Sequence, residues 1–161
     1  MATIAAIDPG TKVCGIAIWD SETKEILCSR VLESKDKNYI IRTREIVREA
    51  AMLLRLTVVD LLYVEQFAMQ GHSGEMLHKF IGAMFYAADP IPTTEVRNTT
   101  LKKFVGNHGH ADKEEVALGV LNYFAAEERS SLIIEDLIDK KMWDVTDAFA
   151  IGICGYEQAA K

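Results

Sequence analysis

Apolar residues in the first part of the chain fall in short runs broken by polar turns. Residues 3–8, 13–19 and 26–33 read as three strands, with Pro9-Gly10-Thr11-Lys12 and the polar stretch Asp20 to Lys24 as the turns between them. From about Lys37 to Leu56 the pattern becomes helical. Ile40, Val47, Ala51 and Leu54 share a face, and Arg42, Arg44, Glu45, Arg48 and Glu49 lie largely off it. A strand over 59–65 follows, then a helix from about Glu75 to Ala88 and a short strand near Ile91–Glu95. Further helices are predicted near Asn98–Val105 and Lys113–Ala126, the latter with Val116, Val120 and Phe124 in a stripe beside Ala117 and Leu121. A last helix runs from about Asp144 to Ala159.

A strand meander followed by strand–helix alternation predicts an α/β fold, a mixed five-stranded sheet flanked by helices, because parallel strands need helical crossovers. The 161 residues, 49% of them hydrophobic, suit one domain with a sizeable core. No apolar run is long enough to span a bilayer, and no signal peptide is visible. Cys14, Cys28 and Cys154 form no CxxC pair and read as reduced thiols, so a cytoplasmic location without membrane association is expected. The net charge of −6 argues against broad, non-specific nucleic-acid binding but permits a local basic face.

Four acids stand out against this pattern. Asp8 and Glu65 each close an apolar strand, at the carboxyl ends where open α/β sheets form their sites. Asp144 and Asp147 are three apart, so on a helix they share the face that continues through Ile151 and Cys154. Taken singly, each also has a structural reading: Asp8 as a turn residue, Asp144 as a helix N-cap, and Asp147 as a first-turn acid favoured by the helix dipole. Glu65 has the weakest such reading. Converging together, the four would need compensation for lost solvation, which Mg²⁺ held by carboxylate oxygens supplies. Two such ions, about 3.5–4 Å apart, can drive hydrolysis of a phosphodiester. No GxSxG motif or Cys-His pairing suggests a nucleophilic side chain instead.

These residues also carry a family resemblance. Asp8-Pro9-Gly10-Thr11 with Gly15 resembles the opening motif of RuvC-type Holliday junction resolvases. Val64-Glu65-Gln66-Phe67 resembles their second motif, and Asp144-Val145-Thr146-Asp147-Ala148-Phe149-Ala150-Ile151 their third. The span from Glu95-Val96 to Lys113 is similar to the family's Lys-bearing segment. The resemblance runs nearly end to end, and it implies an RNase H-like fold, a homodimer and paired cuts near the crossover of a four-way DNA junction. It further implies dependence on Mg²⁺, two ions per site, with Mn²⁺ expected to substitute. The acidic net charge departs from the many basic members. The short chain fits a cellular or a bacteriophage member alike; for a viral one the compartment is the host cytoplasm.

Arg97, Lys102, Lys103 and Lys113 concentrate positive charge where Asp112 is the only acid between Arg97 and Lys113, and phosphate contacts from them would position DNA without reading sequence. A solvated helix face is the plain alternative. By similarity to the family, Lys103 and Lys113 are the candidates nearest the scissile region, Lys113 with a catalytic role; the register of Lys102 against Lys103 stays open. Phe67 is similar to an aromatic placed beside the junction centre, where it could stack on a base, and a core position suits it nearly as well. His108-Gly109-His110 lacks the partners of a zinc set. It reads as a loop, as does Gly71-His72-Ser73-Gly74. The helix from Glu75 carries Met76, Leu77, Phe80, Ile81, Met84 and Phe85, more apolar surface than one sheet face requires. Burial would explain it; the resemblance makes Met76, Phe80 and Met84 a dimer contact. Two other functions remain open at this stage. One is an RNase H-like nuclease acting on other branched DNA or structured RNA, such as the YqgF-type enzymes. The more distant one is an actin- or sugar-kinase-like ATPase fragment, suggested by Asp-x-Gly-Thr.

Overall fold

The computed structural model describes residues 1–66 and 71–159, with the backbone alone for 71–73. Strands β1 (Thr3–Asp8), β2 (Val13–Asp20) and β3 (Ile26–Glu33) form an antiparallel meander. Helix α1 (Tyr39–Leu56) leads to β4 (Leu61–Gln66), and α2 (Gly71–Ala88) to β5 (Thr93–Arg97). Both strands run parallel to β1, and the sheet order is β3-β2-β1-β4-β5. Helices α3 (Asn98–Val105), α4 (Lys113–Phe124), α5 (Glu128–Asp139) and α6 (Trp143–Ala159) complete the described chain. None of the described helices is long and apolar enough to cross a membrane.

Strand alternation divides the core into two layers. Ala5, Ile7, Ile16, Ile18, Leu62 and Val64 face α1 and α2, while Ile4, Ala6, Ala17, Trp19 and Tyr63 face the layer built on α6. A sheet covered on both faces needs near-continuous apolar strands, which is why β1, β2 and β4 read as unbroken runs. Helix α6 lies across the sheet and is buried from Val145 to Gly155 except at Asp147. Its approach depends on absent side chains. A Cβ on Gly15 would lie 1.8 Å from the Asp144 carbonyl oxygen, and one on Gly152 would lie 2.3 Å from the Trp19 ring. Trp19, Phe124 and Phe149 then pack at centroid distances of 5.2–6.0 Å, joining β2, α4 and α6.

Several sequence expectations need correction. Phe80 and Met84 have no exposed surface: they pack in the α1/α2 layer and are not available for a dimer contact. Helix α1 covers that face of α2, and the Tyr39 hydroxyl donates to the carbonyl oxygen of Met76, itself half-buried. Gly82 and Tyr86, 87% exposed, mark the outward face instead. The helix also starts at Gly71, where a loop is predicted to continue to Gly74. Ile40 lies off the buried face of α1 and is 73% exposed; Ile46 and Ala50 take its place beside Val47, Ala51 and Leu54.

Helix α5 has no counterpart in the sequence reading. Ile133, Ile134, Leu137 and Ile138 form its inward stripe and Leu132 lies exposed off it, a short pattern that the sequence reading passed over. Tertiary contacts hold it: the Ser130 hydroxyl accepts from the Ile26 backbone N–H at 3.0 Å, and the Glu127 side chain caps its first turn. The remaining helices and strands lie within a few residues of their predicted bounds, with β5 two residues later than expected.

Because the Gly15 contact is with backbone, Gly15→Ala should destabilise the protein by about 1–3 kcal/mol or more. Urea unfolding checks this, the expected result being a lower midpoint at unchanged m-value.

Candidate active site

Side-chain alternation aims Asp8 and Glu65 at the same layer. Asp8 follows Ile4 and Ala6 on the α6 face of β1, and Glu65 follows Tyr63 on the same face of β4. The two strands are parallel neighbours in a register that pairs Ile7 with Val64, so the acids occupy adjacent strand ends. On the other side of β1, Asp8 pairs with Gly15, the residue against which the Asp144 backbone is seated. One helical turn on, Asp147 joins Asp8 and Glu65 in lining a cavity of about 310 Å³. Its other walls come from α3 (Asn98, Leu101, Lys102), from the start of α4 with the residues before it (Ala111, Asp112, Lys113, Val116), and from Ile151.

Asp144 is not among the lining residues, although its charge acts on both Asp8 and Asp147. Among the described residues, no three His, Cys, Asp or Glu side chains are drawn to metal-ligand spacing. The Asp8 and Glu65 side chains meet each other, and neighbouring donors engage Glu65 and Asp147. Asn98 Nδ2 donates to Glu65 Oε1 at 2.5 Å, and Lys113 Nζ donates to Asp147 Oδ2 at 3.2 Å. An adjacent bond, Arg97 Nε to Gln66 Oε1 at 3.1 Å, ties the ends of β4 and β5 together.

Burial dominates the electrostatics. It pushes the Asp8 carboxyl up to about 8, reinforced by the negative charges of Glu65, Asp147 and Asp144 and opposed by Lys113. Glu65 is raised by burial, against the stabilising Asn98 bond, and Asp147 is raised by burial against Lys113 and Lys102. The site holds more negative charge than its protein partners offset.

The structure separates the two consecutive lysines. Lys102 lines the acidic cavity, whereas Lys103 lies in a different shallow groove with Thr99, Thr100, Phe104 and Gln158. Of the two residues favoured for the scissile region, only Lys113 is therefore at the cavity, and Lys102 stands beside it. Arg97 is exposed next to the site, bonded to Gln66. Phe67 lies outside the described residues. His108 pairs with Glu115 at 3.2 Å. The sequence reading missed Asn98 and Leu101 as site residues. The available signal was position: Asn98 follows β5, whose carboxyl end lies beside that of β4.

Comparison with known proteins decides the family. The family described as crossover junction endodeoxyribonuclease RuvC matches residues 4–155. The chain belongs to the RuvC family. A RuvC from a Synechococcus species is 27% identical, covering 96% of this chain and 98% of its own, and one from Chlamydia trachomatis is 27% identical over 94% and 89%. The structure of Thermus thermophilus RuvC in complex with a Holliday junction substrate superposes with a TM-score of 0.74 at 24% identity, covering 96% of this chain and 92% of that one. Fowlpox virus resolvase in complex with Holliday junction DNA gives 0.61 at 15% identity, with 99% of each chain covered. These neighbours share the RNase H-like fold, and the RuvC match extends through all four acids.

The Asp8 shift has a consequence for the metal-free protein. Its folded-state value, about 8, lies above the unfolded value of 3.8, so between these the folded state binds more protons and stability falls as pH rises. Denaturant unfolding in EDTA should show this decline from pH 5 to pH 8. Asp8→Asn should flatten it and be the more stable protein at pH 8.

Proposed function

We propose that this RuvC-family chain resolves four-way DNA junctions by paired hydrolytic cuts near the crossover, with Mg²⁺ held by Asp8, Glu65 and Asp147 and with Asp144 adding charge beside them. The observation that carries this reading is the meeting of three carboxylates, Glu65 buried and Asp8 and Asp147 half-buried, with Lys102 and Lys113 in one cavity at the strand ends. The family match supplies the reaction class, DNA endonuclease at crossover junctions, and leaves no basis for the ATPase-fragment reading.

The donor set fits a divalent ion. All three lining acids present hard oxygens, and their raised affinity for protons reflects a charge deficit that a cation relieves. When bound, Mg²⁺ supplies Lewis-acid stabilisation of charge at the phosphate and activation of water, and Mn²⁺ would substitute. The chain's own residues perform the rest. Lys102 and Lys113 place positive charge on the cavity wall toward a phosphate, and the Lys113 ammonium offsets Asp147. Ile151 and Leu101 exclude water from the inner wall. Lys103 and Arg97 extend the basic surface outward and would contact flanking DNA. A two-fold homodimer would present two such sites to a two-fold junction, and we assign its contact to the outward face of α2 around Gly82 and Tyr86, beside Met76. Cytoplasmic action on cellular or phage DNA is consistent with this assignment.

A cleavage panel in Mg²⁺ tests the reading: a four-way junction, a three-way junction, a flap, plain duplex and an RNA–DNA hybrid. Symmetric paired cuts confined largely to the four-way junction are expected; preference for another substrate would replace the resolvase assignment. Asp8→Asn should cut on the order of 10³-fold more slowly or worse while still binding the junction. Lys102→Ala should weaken junction binding and lower its salt slope by about 1, with Lys103→Ala the milder of the two for cutting.

A further inference from the structure

Glu65 is the most buried of the cavity's carboxylates, at 7% exposure, yet a neutral side chain from another element bonds it. Asn98 begins α3, where an asparagine side chain often caps a helix by accepting a backbone N–H bond. Here it does not: the cap position is Arg97, which makes no side-chain cap bond, and the Asn98 amide turns to the carboxylate. The location is fixed from both sides. Gln66 and Arg97 pair in the β4–β5 ladder and are also joined by their side chains, so the first residue of α3 is held beside the end of β4.

We propose that Asn98 is the positioning residue for Glu65, fixing one carboxylate oxygen with its amide so that the other is presented to the divalent ion. The inference rests on the metal reading given above. Its chemistry follows from the donor type. A lysine in this place would bring a cation that competes with the metal for the same carboxylate, as the Lys113 ammonium does at Asp147. An aspartate would bring another like charge into an already repulsive cluster. The neutral amide donates a hydrogen bond without either effect. Removing it leaves a buried carboxylate free to rotate, which weakens ligation. Hydrogen bonds of this kind to metal ligands commonly govern affinity by about 10–100-fold.

The test is direct Mn²⁺ binding to the full chain, followed by electron paramagnetic resonance, for the wild type, Asn98→Ala and the isosteric Asn98→Asp. Both variants should bind Mn²⁺ about 10–100-fold more weakly, while junction affinity measured in EDTA is kept by Asn98→Ala. In cleavage assays the Asn98→Ala rate should shift to higher Mg²⁺ and recover toward the wild-type plateau at saturation. Thermal unfolding identifies a variant that fails to fold, in which case the other variant carries the comparison. A folded variant with wild-type Mn²⁺ affinity overturns the role of Asn98 and leaves the metal site standing. A wild type that binds no Mn²⁺ overturns the metal reading, and this inference with it.

Discussion

The site depends on how closely α6 can lie on the sheet. Gly15 leaves room for the Asp144 backbone directly beside Asp8, and Gly152 leaves room for the Trp19 ring. The helix that brings the last two acids is therefore seated by backbone and aromatic packing, with Phe124 and Phe149 closing around Trp19. Loss of that approach would move Asp147 relative to Asp8 and Glu65 whatever happened at the acids themselves. Catalytic placement here is a packing problem before it is an electrostatic one.

Packing imposes the electrostatic conflict. Three carboxylates face one cavity, burial raises all three, and the Lys113 ammonium offsets only part of the charge. A protein selected for stability alone would not assemble this group, since burying charge without full compensation is costly. Asp8 and Glu65 meet through their side chains, Asn98 and Lys113 engage Glu65 and Asp147, and no set of three stands at ligand spacing among the described residues. The fold tolerates the arrangement because the central strands β1, β2 and β4 are otherwise apolar on both faces.

What the sequence disclosed followed the range of its signals. Asp8 and Glu65 end strands whose apolar runs are legible locally, and period-two alternation puts both on one face. Asp144 and Asp147 are spaced for one helical face. The contacts between distant segments were hidden. Asn98 meets Glu65 across 33 residues of chain, and its place after β5 is the one local sign of it. Lys102 and Lys103 are indistinguishable until the rotation of α3 is set by its start at Asn98 and by Leu101 and Val105 packing inward. Phe80 and Met84 looked like surplus apolar surface because the count of apolar residues on α2 does not reveal that α1 covers them. Helix α5 escaped although Ile133, Ile134, Leu137 and Ile138 recur at helical spacing; its stripe is short, and its anchor, Ser130 on Ile26, is a tertiary bond.

The cavity walls come from opposite ends of the chain. Asp8 and Glu65 lie on the first and fourth strands, the lysines on α3 and α4, and Asp147 on the final helix. During synthesis Asp8 leaves the ribosome 139 residues ahead of Asp147, and Glu65 leaves it 82 ahead. A partly made chain thus carries half of the cavity, which is complete only when α6 docks across the finished sheet. For a junction endonuclease, the order of folding would act as a safety catch, because a fragment that lost its last helix would lack Asp147 and one wall of the cavity.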